Sequence, residues 1–160
     1  MSVQRRTAYA QETSTLDLSE TEVTPQKAVP QQPANTSQPR VLLLDDLEDY
    51  RDVLAEHLIS RFYQVTAVAN GVEGVREIMK DAFDLIICDM MMPKLGGEMF
   101  YWAATRIRPA SGQRFIFFTG HQNDPKIQAF FQRVNAIVLV KPFKLEALDA
   151  AMVEVLKKLR

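Results

Sequence analysis

Five short runs rich in apolar and β-branched residues recur along the chain: VLLLD (41–45), YQVTAVA (63–69), DLIICD (84–89), RFIFFTG (114–120) and AIVLV (136–140). Each is strand-length and too short for a helix. The runs scarcely alternate with polar residues, which implies strands buried on both faces, as in a parallel sheet covered by helices. Between and after them lie segments with helical spacing. EDYRDVLAEHLISR (48–61) places Val53, Leu54, His57 and Leu58 at that spacing, and GVEGVREIMK (71–80) and GGEMFYWAATRIR (96–108) follow. DPKIQAFFQRV (124–134) opens with an Asp cap and a Pro at the first helical position. KLEALDAAMVEVLKKLR (144–160) carries Leu145, Leu148, Met152, Val155, Leu156 and Leu159 on one stripe. Five strands alternating with five helices, joined by right-handed crossovers, predict a doubly wound α/β sandwich. In such sheets ligands bind at the carboxyl ends of the strands.

Residues 1 to about 39 do not continue the pattern. They are rich in Thr, Ser, Gln, Glu and Pro and contain no Phe, Ile or Trp. Such a segment buries too little apolar surface to offset its ordering entropy, so it reads as a disordered arm before a domain spanning 40–160. The net charge of −1 provides no field that favours nucleic acid or an anionic membrane. Cys88 is the single cysteine, so no intrachain disulfide forms, and a small buried hydrophobe is its expected role. No secretory leader or spanning segment is legible, and a cytoplasmic protein is expected.

The polar residues that close the strands carry the chemistry. The first strand ends in Asp45-Asp46, the third in Asp89, the fourth in Thr119-Gly120 and the fifth in Lys141-Pro142. The second ends in Ala69-Asn70, which reads as polar punctuation. Three carboxylates, one hydroxyl and one amine thus converge on one edge. A carboxylate is a competent nucleophile toward phosphorus, but both partners are anionic, and a divalent cation removes that opposition. Three hard oxygen ligands, too few for a closed cage, suit Mg²⁺ with retained waters.

The segments Asp-Met-Met-Met-Pro-Lys-Leu-Gly-Gly (89–97) and Val-Lys-Pro-Phe (140–143), with the acidic pair and Thr-Gly, give residues 40 to 160 a specific resemblance. The body resembles the receiver domain of bacterial response regulators, in a stand-alone form like a chemotaxis regulator. The resemblance implies a flavodoxin-like five-stranded parallel sheet of order 2-1-3-4-5. It implies that Asp89 accepts a phosphoryl group in a two-component phosphorelay. It further implies that Asp46 binds Mg²⁺ directly, Asp45 through water, and Met91 through its backbone carbonyl. Lys141 is expected to pair with Asp89 at rest and with a phosphoryl oxygen afterwards, and Thr119 to donate its hydroxyl to another. The Lys141-Pro142 bond is expected to be cis. The implied donor is a sensor histidine kinase or a histidine phosphotransfer protein.

The same resemblance sets expectations for output. The family usually places an aromatic three residues before the lysine, and Val138 stands there, so the aromatic part of the switch is missing or moved. Nothing follows the last helix, so no DNA partner or membrane is expected. Output is expected through protein contact on the face of the fourth helix, fifth strand and fifth helix, with a homodimer possible. The chain reads as a switch assisting its own phosphorylation and dephosphorylation, not as an enzyme. A receiver-fold binding module that works independently of phosphate is the alternative. His121, two residues past Thr119, is read either as a residue tuning dephosphorylation or as a solvated loop histidine. His57 is expected at the surface or its boundary. Phe130 and Phe131 are adjacent on a helix, so one is expected to be exposed.

Overall fold

A computed structural model describes residues 37–160. The expectation for residues 1–36 lies outside the described residues. The body forms one five-stranded sheet of order β2-β1-β3-β4-β5 with every pairing parallel, as the sequence led us to expect. The strands are β1 (Arg40–Leu44), β2 (Gln64–Val68), β3 (Leu85–Asp89), β4 (Phe115–Thr119) and β5 (Ile137–Val140). The helices are α1 (Glu48–Ser60), α2 (Gly71–Lys80), α3 (Gly97–Ile107), α4 (Pro125–Val134) and α5 (Leu145–Lys158). A 3₁₀ helix, Pro109–Arg114, connects α3 to β4 and was not anticipated. Its proline at the first position fits a helix start, and its polar composition carries no apolar period to announce it.

Successive strand residues point to opposite faces, and this divides the core in two. Leu42, Leu44, Ile86, Cys88, Phe115 and Phe117 pack with Ile78 of α2, Phe100 of α3 and Phe130 of α4. Val41, Leu43, Leu85, Ile87, Ile116 and Phe118 pack with Leu54 and Leu58 of α1 and Leu148, Met152 and Val155 of α5. The residues of β3 and β4, and all but the first of β1, are buried. The edge strands are not: β2 exposes Gln64 and Ala67, and β5 has no fully buried residue. Full burial on both faces therefore holds for the three central strands only.

Two side-chain expectations change. Val53 is exposed, because Leu54 and Leu58 set the buried stripe of α1 and the position before Leu54 is turned about 100° away. Neither phenylalanine of α4 faces solvent. Phe130 is buried, and Phe131 is half-buried with its ring 5.7 Å from that of Phe117. The aromatic surface of β4 is broad enough to receive both rings.

Helix starts fix the loops around the site. Asp124 Oδ1 accepts the N–H groups of Lys126 and Ile127, as its position before Pro125 suggests. Asn70 does more than punctuate. Its side chain accepts the Glu73 N–H at 3.0 Å, while Glu73 accepts the Ala69 N–H, which closes a reciprocal cap on α2.

Gly97 lets α3 start directly against the end of β3. A Cβ there would lie 2.6 Å from the Asp89 carbonyl oxygen and 2.9 Å from the Met90 Cα, and neither backbone atom can yield cheaply. Gly97→Ala is expected to lose about 1–3 kcal/mol by overpacking, read as a lower midpoint in urea unfolding. An unchanged midpoint would contradict this packing.

Candidate functional site

The register of the parallel ladder levels the strand ends. Leu44 pairs with Cys88, Asp89 with Phe118, and Thr119 with Val140. The residues just past each strand therefore share one edge. Asp45 and Asp89 are buried, whereas Asp46 is exposed. One carboxylate oxygen from each of the three lies within 4.8 Å of the others. Lys141 Nζ stands 3.1 Å from Asp89 Oδ2 and 3.2 Å from Asp45 Oδ2. The sequence pointed to the Asp89 pairing and missed the one with Asp45.

Each buried carboxylate is also held by backbone. Asp45 Oδ1 accepts the Leu47 N–H at 2.8 Å, and Asp89 Oδ1 accepts the Met91 N–H at 3.2 Å. Arg51 donates to the Asp45 carbonyl oxygen at 2.8 Å, which ties the first turn of α1 to the site. Glu48 and Asp49 occupy that same first turn, where the helix dipole favours them. The Lys141 amine lies over the rings of Tyr50 and Phe118, 4.8 Å from each centroid. Neither aromatic was singled out in the sequence. Their signal was weak: Phe118 directly precedes Thr119, and Tyr50 is one residue in an acidic helix start.

Thr119 is fully buried, and its hydroxyl accepts the His121 N–H at 2.9 Å. His121 itself is exposed, so its contact with the site runs through the backbone. The Lys141-Pro142 bond is cis, as expected. His57 is half-buried, with Nε2 2.8 Å from Asp149 on α5, so it joins two helices away from the site. Met90 is buried and Met91 is exposed. Cys88 is buried, and burial pushes its thiol well up.

Burial raises the Asp89 carboxyl above the ordinary carboxylate value. The Lys141 amine and the Met91 N–H oppose that rise, and the charge of Asp45 adds to it. For Lys141, burial acts to lower the value, but the carboxylates of Asp89 and Asp45 together raise it. Three acids share this edge with one amine, so a cationic deficit remains. The donors fit a small hard cation: all are oxygens, and each carboxylate oxygen of Asp45 and Asp89 accepts a single hydrogen bond, which leaves a lone pair.

Comparison with known proteins decides the family. Residues 41–153 match the response regulator receiver domain. The chain belongs to the receiver-domain family of two-component systems. It is 30% identical over 114 residues to a probable chemotaxis protein CheY of Rhizobium etli, covering 71% of this chain and 88% of that one. It is 31% identical over 122 residues to the transcriptional activator protein PfeR of Pseudomonas aeruginosa, covering 76% of this chain and 39% of that protein. Against the first curated relatives, mostly named as transcriptional regulators, the chain spans about a quarter to a half of their length. The Vibrio cholerae chemotaxis protein CheY4 superposes with a TM-score of 0.67 at 28% identity, over 74% of this chain and 98% of that one. The receiver domain of the Pseudomonas aeruginosa sensor histidine kinase PA1611 gives the same TM-score, 0.67, at 24% identity, over 75% and 98%. That neighbour is described with a magnesium ion coordinated in its active-site cleft. Among the described residues no helix is long and apolar enough to cross a membrane.

The raised Asp89 carboxyl has a consequence for this receiver's stability. Between the ordinary carboxylate value and Asp89's raised value, the folded chain holds a proton that the unfolded chain has released. Stability therefore falls as pH rises through that window. Asp89→Asn removes this slope. In chelator at neutral pH the variant is expected to unfold at a higher urea concentration than the native chain. The difference should vanish below the ordinary carboxylate range, and equal midpoints at neutral pH would contradict the sign.

Proposed function

We propose that this receiver is a phosphorylation switch in which Asp89 accepts a phosphoryl group from the phosphohistidine of a sensor histidine kinase or a phosphotransfer protein. The observation that carries the reading is the Lys141 amine seated on both Asp45 and Asp89, with an Asp46 oxygen in the same cluster. An Asp89 oxygen forms the bond to phosphorus as the donor's nitrogen–phosphorus bond breaks, and the freed imidazole takes up a proton. Asp45, Asp46, Asp89 and the Met91 backbone carbonyl are the residues that would hold Mg²⁺. When bound, that ion offsets the charge between the carboxylates and the phosphoryl oxygens. Lys141 then exchanges its carboxylate partners for a phosphoryl oxygen. Thr119 gives up its contact with the His121 N–H and donates to a second oxygen. In this reading the chain is a switch that assists its own phosphorylation and dephosphorylation, not an enzyme acting on a separate substrate.

Output passes by protein contact on the α4–β5–α5 face, with a net charge of −1 giving nucleic acid no general attraction. The rival reading, a binding module indifferent to phosphate, draws on Val138, which lies opposite Phe117 in the ladder where the family usually has an aromatic. That reading gives no role to a lysine that bridges two buried acids. Its signature would be partner binding unchanged by Asp89→Asn.

With Mg²⁺ and acetyl phosphate, the intact chain is expected to gain the mass of one phosphoryl group. Chelation should abolish the gain, and so should Asp89→Ala. A gain that persists in Asp89→Ala sinks the assignment. Stability supplies an independent reading of the metal seat. At one hundred times its dissociation constant, Mg²⁺ should stabilise the native chain by about 2.7 kcal/mol. Asp46→Asn should lose most of that increment. In chelator, Asp46→Asn should be at least as stable as the native chain, because one of three clustered negative charges is gone.

A further inference from the structure

A cavity with mainly apolar walls lies at the opposite end of the sheet from Asp89, beside the start of β3. Its volume is about 250 Å³. Ile78, Phe83, Ile86 and Ala110 give it apolar walls, and Arg108, Ser111, Arg114 and Asp84 contribute polar groups. We propose that this cavity binds a small carboxylate with a compact apolar body, of the size of an aromatic monocarboxylate. The site is separate from the phosphoacceptor edge, and the inference does not rest on phosphorylation.

Three observations carry it. Ser111 is buried, and its hydroxyl has no hydrogen-bond partner among the described residues. A buried hydroxyl left unpaired is costly, and such groups in folded proteins generally have a partner in protein, water or ligand. Arg108 donates Nε to the Ile78 carbonyl at 2.7 Å, which fixes its guanidinium at the rim. No carboxylate pairs with Arg108 among the ion pairs of the described residues, so its terminal amino groups keep their donors for an anion. Arg114 is only loosely held, 3.8 Å from Asp84 Oδ1 and 3.4 Å from the Asp84 carbonyl.

Charge and size then select the ligand. Arg108 and Arg114 line the cavity with one carboxylate, Asp84, whose Oδ2 already accepts the Arg40 N–H at 2.8 Å, and Asp81, the other acid near Arg108, is itself paired with the Arg40 guanidinium at 2.8 Å. The balance favours an anion, and the planar fork of an arginine suits a carboxylate. The volume falls just under the ~300 Å³ at which small-molecule pockets begin, so the body must be compact. The Ser111 hydroxyl lies shielded just beneath this lining, and a rotation about its χ1 brings it to the same carboxylate.

The test uses the ¹⁵N-labelled chain titrated with benzoate, with benzamide as a neutral control of the same shape. Saturable amide shifts are expected at Ala82, Phe83, Ser111 and Arg114, with benzamide at least tenfold weaker. Arg108→Gln and Arg114→Gln should each weaken benzoate about tenfold, and Ser111→Ala should weaken it measurably. The spectra themselves report whether each variant is folded, and the loose contacts of Arg114 make its variant the safer of the two. Shifts that stay linear without saturating, or equal binding of benzamide, would overturn the proposal. So would affinity unchanged in all three variants.

Discussion

Three carboxylates with oxygens within 4.8 Å of one another, two of them buried, would push a fold apart if nothing stood between them. The Lys141 amine stands between the two buried ones, at nearly equal distance from each. Its own burial is unfavourable, and the faces of Tyr50 and Phe118 lessen that cost by lying against the charge. Much of the local architecture follows from seating this one cation. β5 must end level with β1 and β3. The turn after β1 must offer the Leu47 N–H to Asp45. The loop after β3 must offer the Met91 N–H to Asp89. The arrangement leaves more negative than positive charge in place. That residue of charge is what makes the edge receptive to a divalent cation.

The two halves of the core keep this edge in position from opposite sides. Phe118 belongs to the layer packed under α1 and α5 and also touches the lysine. Phe117, its neighbour, belongs to the layer packed under α2, α3 and α4. The buried strands have little freedom to slide, since a one-residue slip would exchange these layers along a whole strand. A site made of strand ends inherits that rigidity, whereas residues on the connecting loops do not. His121 illustrates the contrast: two residues past Thr119, its side chain is already in solvent.

Most of this was legible because strand-length apolar runs announce their own ends, and the chemistry sits at those ends. Asp45, Asp89, Thr119 and Lys141 could be read as a group without knowing any distance. What could not be read depends on direction in space. The Lys141–Asp45 pair joins residues 96 positions apart, and nothing local distinguishes it from a pair with Asp89 alone. Val53 and Leu54 are equally apolar, and only the packing of α1 decided which one faced the sheet. Asn70 looked like a loop residue because its partner Glu73 carries no apolar signal, although the two form a cap. The 3₁₀ helix at Pro109–Arg114 lacks periodicity altogether, and the cavity beside it therefore left no trace in the pattern.

Val138 raises the question of how a change at the acidic edge reaches α4 without an aromatic at that point of β5. The answer lies one strand inward. Residues two apart on a strand share a face, so Thr119 and Phe117 point to the same side of β4. That is the side on which α4 packs. The Phe117 ring lies 5.3 Å from Phe130 and 5.7 Å from Phe131, both on α4, and Tyr101 and Trp102 of α3 close the same cluster against Phe130. Arg133, at the end of α4, stacks over Trp102. Displacing α4 therefore requires these rings to repack together, because a close-packed aromatic cluster moves between discrete arrangements and does not deform smoothly. On the proposed switch, the aromatic coupling absent at Val138 would be supplied by Phe117 of β4, which pairs with Val138 and lies on the same face as the Thr119 hydroxyl.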